Sequence, residues 1–332
     1  MASTRYRSRI LVGTAAMAVA AVAVVAGVGN ADASTRPWSG GRHHPPSPTA
    51  STIPTAATVA PTATATATRT GSPSATPAPT KTAATPTAKQ AGTWAPPPAN
   101  AAFDYQIGGA YPPPAGVTVV SRDHDASPAA GLYNICYVNA FQAQTEAASW
   151  WKANHSDLLL HDAKGNLVID KDWNEILLDY STAAKRAGLT AIVGDWIDQC
   201  AVKGFKGVEP DNLDSYTRSK GLLTEPQAIA YAASLSSYAH GKGLAVGQKN
   251  DADLSTSSAK QAGFDFAVAE ECADYDECQN YTATYGNHVI VIEYSQSKFT
   301  KACTSYGSTL SIVLRDVDVT APGSGSYVFK TC

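Results

Sequence analysis

Beyond residue 100 the chain alternates short apolar runs with longer amphipathic segments. Eight runs read as strands: 103–107 (FDYQI), 117–121 (VTVVS), 133–138 (YNICYV), 206–210 (KGVEP), 244–248 (LAVGQ), 264–269 (FDFAVA), 289–294 (VIVIEY) and 310–315 (LSIVLR). Most are nearly continuous in apolar or β-branched residues, as strands covered on both faces should be. Between the third and fourth runs, Trp173, Ile176, Leu177, Tyr180 and Ala184 fall at helical spacing, which predicts a helix capped by Asp172. A second helix is predicted from Thr224, its N-cap, through Pro226 in the first turn to Gly241 and Gly243. The run 189–197 (LTAIVGDWI) is assigned to helix, because a strand there would leave too few residues for a crossover to 206. Alternating strands and helices imply a parallel α/β sheet, and the span from 101 to 332 suits a (β/α)8 TIM barrel, an architecture of roughly 250 residues. The unit from Asn139 to Phe205 is long, and its HDAKGNLVID stretch predicts a hairpin over the barrel mouth.

The first 95 residues show neither period. Arg5, Arg7 and Arg9 precede an apolar stretch from Ile10 to Gly29, and Ala31-Asp32-Ala33 offers a small-residue cleavage site, so residues 1–33 read as an export signal. The stretch is about as long as a membrane span, which leaves an uncleaved anchor as the alternative. Residues 34–95 are almost entirely Ala, Thr, Pro and Ser; such a segment buries too little apolar surface to offset its ordering entropy and is expected to be a disordered linker. The catalytic-size domain is then 96–332, secreted and without obligate membrane association once the signal is removed.

All six cysteines lie beyond the linker, and an even count in an exported chain favours disulfides over a metal cluster. Local spacing suggests Cys272 with Cys278 and Cys303 with Cys332, leaving Cys136 with Cys200. Of the 25 basic and 28 acidic residues, the first 100 positions hold eight basic and one acidic, so the remainder carries 17 against 27, near −10. That balance disfavours nucleic acid or an anionic membrane as partner and suits a cationic ligand.

The acids are not scattered. Apolar runs end in Glu209, Asp211 and Asp214, in Glu270 and Glu271, in Glu293, and in Asp316. Strand C-termini of a parallel barrel share one face, where catalytic residues gather. Hydrolysis of a glycosidic bond needs two carboxyl groups, one to protonate the leaving oxygen and one to act as nucleophile or to activate water. Asp211 and Glu270 are the sharpest pair, and crowding by Glu209, Asp214, Glu271 and Glu293 would raise the proton affinity of one member. There is no G-x-S-x-G, no P-loop and no H-E-x-x-H, and nothing in the chain calls for a cofactor or an oligomer; a monomer is expected. His240 lies at a predicted helix end, a capping or surface position.

The stretches FDYQIGGAYPPP, YNICYVNAFQ, GVEPDNLDSYTR, GLAVGQKN, FAVAEECADYDEC and VIVIEY closely resemble the endo-α-1,4-polygalactosaminidase family, glycoside hydrolase family 114, over residues 96–332. The resemblance implies a (β/α)8 barrel that cleaves internal bonds of α-1,4-linked galactosamine polymers or partly deacetylated galactosaminogalactan. It implies Asp211 as nucleophile and Glu270 as acid/base, with Glu271 the alternative because only one of two neighbours can face into the barrel. Where some relatives have Asn before that Glu, this chain has Ala269. Asn212, Lys249, Asn250, Arg315 and Asp316 stand at strand ends, placed to bind sugar hydroxyls or orient the carboxylates. Tyr105, Tyr137 and Tyr294 offer faces for sugar or ammonium, and Trp150 and Trp151 suit packing better than ligand contact. Asp123, Asp104 and Glu293 are candidates for holding the C2 ammonium of the substrate. Two other readings stand beside this one: a divalent-metal lyase or isomerase using Asp211, Glu270, Glu293 and Asp316 as a cage, and a non-catalytic carbohydrate-binding module. Retention and inversion are both open at this level.

Overall fold

The computed structural model describes residues 93–332. The expected export signal (1–33) and nearly all of the expected linker (34–95) lie outside the described residues. The elements run β1 (Phe103–Tyr105), β2 (Val119–Asp123), β3 (Tyr133–Asn139), β4 (Gln142–Ala143), α1 (Ala148–Asn154), β5 (Ile169–Asp170), β6 (Glu175–Leu177), α2 (Ala183–Lys203), β7 (Gly207–Asp211), α3 (Glu225–Gly241), β8 (Ala245–Lys249), α4 (Thr256–Ala262), β9 (Phe266–Glu270), α5 (Cys278–Tyr285), β10 (Val289–Glu293), α6 (Gln296–Tyr306), β11 (Ser311–Arg315) and β12 (Phe329–Thr331). All eight expected strands are present, and the run 189–197 is helical, inside α2.

Eight of these strands pair in parallel in the order β1-β2-β3-β7-β8-β9-β10-β11, and β12 adds antiparallel to the β11 edge. No ladder joins β11 to β1, so the barrel is nearly closed with a seam between them. Side chains stitch that seam: Ala101 N donates to Ser311 Oγ at 2.9 Å and Asn100 Nδ2 to the Ser308 carbonyl at 3.1 Å. Successive residues alternate between barrel interior and helical layer. Phe103, Tyr105, Val119, Ile135, Phe266, Val268, Ile290, Ile292 and Val313 fill the interior. Val138, Val208, Val289, Val291 and Leu314 face the helices. Gly247 is required inside the barrel, because a Cβ there would stand 2.8 Å from the Phe266 ring.

Local chemistry explains the helix boundaries. α3 starts with a reciprocal capping box between Thr224 and Gln227, with Pro226 in its first turn. α2 ends on Gly204 at φ 98°. The helix expected from Asp172 is absent. Asn174 takes φ 57°, and Glu175–Leu177 becomes β6, paired with β5 and β4 in a small antiparallel sheet. The helical spacing of Trp173, Ile176 and Leu177 was coincidental, since the backbone N–H groups of 177 and 178 donate to Val168 and Phe141. The next helix begins only at Ala183, capped by Thr182 Oγ1 accepting from Lys185 N at 3.2 Å. The expected hairpin is present: His161 bridges Leu167, and Asp162 Oδ1 accepts from Lys164 N and Asn166 N across the turn.

Three disulfides join the expected partners. Cys136–Cys200 ties β3 to α2, Cys272–Cys278 closes the loop after β9, and Cys303–Cys332 ties α6 to the C-terminus. Trp94, two residues before the expected domain start, already packs on it: its ring stacks on His240 at 3.9 Å and its Nε1 donates to Asp265 Oδ1 at 3.1 Å. Among the described residues no helix is long and apolar enough to cross a membrane.

Candidate active site

The pleat places Gly207, Glu209 and Asp211 on the inner face of β7, Lys249 on that of β8 and Glu270 on that of β9. These side chains converge. Lys249 Nζ lies 3.3 Å from Glu209 Oε1, 3.1 Å from Asp211 Oδ1 and 3.4 Å from Glu270 Oε2, and it donates to Tyr105 Oη at 3.1 Å. The remaining carboxylate oxygens are held by hydroxyls and an amide. Tyr137 Oη donates to Asp211 Oδ2 at 2.6 Å, and Tyr294 Oη donates to Glu270 Oε1. Asn250 Nδ2 donates to Glu270 Oε2 at 2.9 Å. Deeper in the barrel Glu209 accepts from Tyr105 Oη at 2.9 Å and Ser121 Oγ at 2.6 Å.

The backbone just beyond three of these strands is unusual. Asn212, Asn250 and Glu271, the residues following β7, β8 and β9, all have positive φ, at 69°, 51° and 58°. Left-handed non-glycine residues cost free energy and cluster where function requires them. Here they turn the chain away so that the last strand residue keeps its side chain in the barrel mouth. Asn250 also uses its Oδ1 to accept from Glu270 N at 2.9 Å, so one amide fixes both ends of that residue.

Electrostatics divide the acids by role. Burial opposes ionisation of Asp211, but the Lys249 ammonium, the Tyr137 hydroxyl and the Asn212 N–H outweigh it and hold this carboxyl below the usual range. Glu209 moves the other way: burial dominates, the Asp211 charge adds to it, and its proton affinity is raised despite Lys249 and Ser121. Lys249 is itself buried, which disfavours its charge, yet Asp211, Glu270 and Glu209 together hold it strongly protonated. The sequence placed a raised proton affinity on one member of the Asp211–Glu270 pair; Asp211 moves the opposite way, and the rise falls instead on Glu209, at the floor of the site, where burial rather than crowding is its first cause.

Of the other expected site residues, Tyr105, Tyr137, Asn212, Lys249, Asn250 and Tyr294 are in or beside this cluster. Asn212 Nδ2 donates to Asn139 Oδ1 at 3.1 Å, and Asn139 Nδ2 to Glu175 Oε2 at 2.9 Å, so the β4–β6 sheet is fastened to the residue beside Asp211. Asp123 ends β2 on the same inner face as Ser121, with its Oδ1 accepting from Asp125 N at 2.8 Å. Glu271 opens the loop after β9. Four expectations are corrected. Asp104 is fully buried and occupied by Arg315, Gln106 and Tyr111 at 2.7–3.1 Å. Arg315 bridges the seam and donates to the Val328 and Thr320 carbonyls. Asp316 accepts from Thr320 N and Val328 N. Glu293 shares the face of Val289 and Val291, toward the helices, and accepts from Ala273 N at 2.9 Å. None of these four is free to bind sugar, and with Glu293 and Asp316 pointing elsewhere the postulated four-carboxylate metal cage does not form. Trp151 is core and Trp150 half-exposed beside it, ring centroids 5.3 Å apart. Sequence reasoning counted Glu209 only as an acid crowding the pair, with no role of its own, and left Ser121 out of the site. Glu209 was recoverable, since it precedes Asp211 by two and must share its face.

A (β/α)8 barrel with two carboxylates at the ends of nearby parallel strands defines a barrel enzyme of the kind that hydrolyses glycosidic bonds. The chain belongs to glycoside-hydrolase family GH114, whose profile matches residues 83–332, and it is a glycoside hydrolase. Among solved structures, the Aspergillus fumigatus Ega3 complex with galactosamine aligns with a TM-score of 0.59 at 24% identity, covering 74% of this chain and 100% of that one. The glycoside hydrolase domain of Pseudomonas aeruginosa PelA aligns at 0.46 and 14%, covering 69% and 98%. The first likeness bears on the fold. No curated protein matches the chain.

Proposed function

We propose that this protein is a secreted endo-glycosidase that cleaves α-1,4-linked galactosamine polymers by a retaining mechanism, with Asp211 as nucleophile and Glu270 as acid/base. The observation that carries the reading is the Lys249 clamp. One ammonium 3.1 Å from Asp211 Oδ1 and 3.4 Å from Glu270 Oε2 means those two oxygens can be no more than 6.5 Å apart. That bound reaches only the lower edge of the roughly 6.5–9.5 Å typical of inverting enzymes and includes the roughly 5–5.5 Å of retaining ones. Membership of GH114 and the galactosamine in the Ega3 complex support the amino-sugar substrate. An acidic domain suits a polycationic polymer, and Asp123, at the end of β2, is the carboxyl left to meet a C2 ammonium.

Each residue then has a step. Lys249 and Tyr137 keep Asp211 anionic, so it attacks the anomeric carbon while Glu270 passes its proton to the departing glycosidic oxygen. The Asp211 glycosyl ester that forms is opened by a water whose proton Glu270 takes back, which restores both carboxyl groups and retains configuration. Tyr294 and Asn250 hold Glu270 in line through both exchanges. Glu209, Tyr105 and Ser121 fix Lys249 from below, a preorganised environment that needs no rearrangement as charge develops.

The test is to incubate the secreted chain with de-N-acetylated galactosaminogalactan and follow soluble oligomers by mass spectrometry and the anomeric proton of the first product by NMR. Short α-configured oligomers from the wild type, none from Asp211→Asn, are expected. Binding without products would leave a carbohydrate-binding module; β-configured products would make the enzyme inverting.

A further inference from the structure

The structure assigns Glu293 a role outside the carboxylate pair: it is a positioning residue for Glu270, seating the disulfide-closed loop that follows β9. The inference rests on the acid/base reading of Glu270.

Glu293 ends β10 on the face turned from the substrate and has no exposed surface. Oε1 accepts from Ala273 N at 2.9 Å, while Oε2 is buried without a hydrogen-bond partner. A buried carboxyl with one oxygen unpartnered is costly when charged, and such a group persists where something holds it in place. What it holds is the segment from Glu270 to Cys278. That segment leaves the barrel through Glu271 at φ 58°, is pinned to β10 by Glu271 N donating to the Ile292 carbonyl at 2.7 Å, and is closed on itself by Cys272–Cys278. From α6, Lys301 Nζ donates to the Ala273 carbonyl at 2.7 Å, so residue 273 is gripped on both its N–H and its C=O. The next residue after Glu293 is Tyr294, whose hydroxyl donates to Glu270. Glu293 and Tyr294 thus grip residue 270 from opposite faces of the sheet, one through the loop and one through the carboxylate.

The charged groups around Glu293 favour its protonated form. Glu271 and Asp274 face it from the loop and Lys298 faces it from α6. Lys298 is exposed and paired with Asp274, so it supplies little compensation. Burial, opposed by the Ala273 N–H but reinforced by Glu271 and Asp274, lifts this carboxyl to about 7. As pH rises through that value a charge is created beside two acids and one unpartnered oxygen, and the seat loosens.

Three chains settle the matter: wild type, Glu293→Gln and Glu293→Leu, with Glu270→Gln as the control for the underlying reading. Two measurements are made on each, kcat and KM on the amino-sugar polymer and hydrogen-exchange protection of residues 271–277 from pH 5 to 8. In Glu293→Leu, kcat should fall by about 100-fold, the cost of a displacement of roughly 1 Å at a reacting group, with KM little changed. Glu293→Gln keeps an acceptor for Ala273 and should restore most of kcat at pH 5.5. Loop protection should decline with pH in wild type, stay level in Glu293→Gln and be low throughout in Glu293→Leu. Wild-type kcat in Glu293→Leu, or loop protection with the same pH course in Glu293→Gln and wild type, overturns the inference. An active Glu270→Gln overturns the acid/base reading instead, whatever the Glu293 variants do.

Discussion

Replacing Lys249 by Met tests the centre most directly, because one ammonium lies within 3.1–3.4 Å of three acids. At an effective dielectric near 20, an ammonium 3.1 Å from a carboxylate oxygen is worth about 5 kcal/mol. Relaxation reduces this to the range an adjacent cation usually produces, about one to three pH units or roughly 1.4–4 kcal/mol. In the wild type Asp211 is depressed below its ordinary 3.8. Its contribution to stability is therefore present above the unfolded value and lost as pH falls through the folded one. Without Lys249 only the Tyr137 hydroxyl and the Asn212 N–H are left to oppose burial, the carboxyl is raised, and the sign reverses: the variant loses stability as pH rises. The deficit should be about 3–5 kcal/mol at neutral pH, the cost of orphaning a buried charge, and shrink toward pH 4. For a barrel of this size that corresponds to a Tm lower by roughly 6–20 °C. The assay pairs thermal unfolding from pH 4 to 8 with the pH profile of kcat/KM, whose acidic limb reports the free nucleophile. That limb should move up by about one to three pH units. A limb that stays at its wild-type position, or a Tm deficit that grows as pH falls, would refute the assignment of Lys249 as the group that keeps Asp211 ionised.

Two other perturbations probe the same frame. Tyr137→Phe removes the 2.6 Å hydrogen bond to Asp211 Oδ2 and should move the acidic limb up by about one pH unit, near 1.4 kcal/mol, at the low end for a bond to a charged group; coincident profiles would mean that this hydroxyl does not serve the nucleophile. Gly247→Ala puts a methyl 2.8 Å from the Phe266 ring inside the barrel and should destabilise by about 1–3 kcal/mol in denaturant unfolding, with Phe266→Leu in the same chain restoring part of the loss.

The strand set was readable because each run is apolar over several residues and is punctuated by caps and turns whose chemistry is local. Thr224 and Gln227 announce a helix start wherever they occur in this order, and LTAIVGDWI yields to helix once the crossover length is counted. The error at Asp172–Ala184 has the same origin as the successes. Trp173, Ile176 and Leu177 satisfy a helical spacing within a short window, but partners at Phe141 and Val168, up to 37 residues away, claim the backbone N–H groups of 177 and 178 for a sheet.

The site divides in the same way. Glu209, Asp211 and Glu270 could be placed together from sequence, because strand C-termini share a face and residues two apart share a side. Glu293 could not. VIVIE is apolar on both sides of its strand, so nothing local distinguishes interior from helical layer, and only the closed barrel turned Ile290 and Ile292 inward and Glu293 out. Arg315 and Asp316 likewise stand at the end of β11, yet the unladdered seam between β11 and β1 consumed Arg315 and Asp104 as fasteners, and Asp316 is spent on the segment that follows β11. Lys249 shows the limit most clearly. Its position at the end of β8 was legible, but its partners were not, since a long flexible ammonium takes its place from the sum of charges around it. The amino-acid sequence alone determined the strands, their caps and the acids at their ends, all consequences of short-range sterics and hydrogen bonding. Which of those acids share one cation, which are spent on closing the barrel and which grip a loop from behind was decided by curvature and long-range electrostatics, which exist only once the sheet has wrapped around itself.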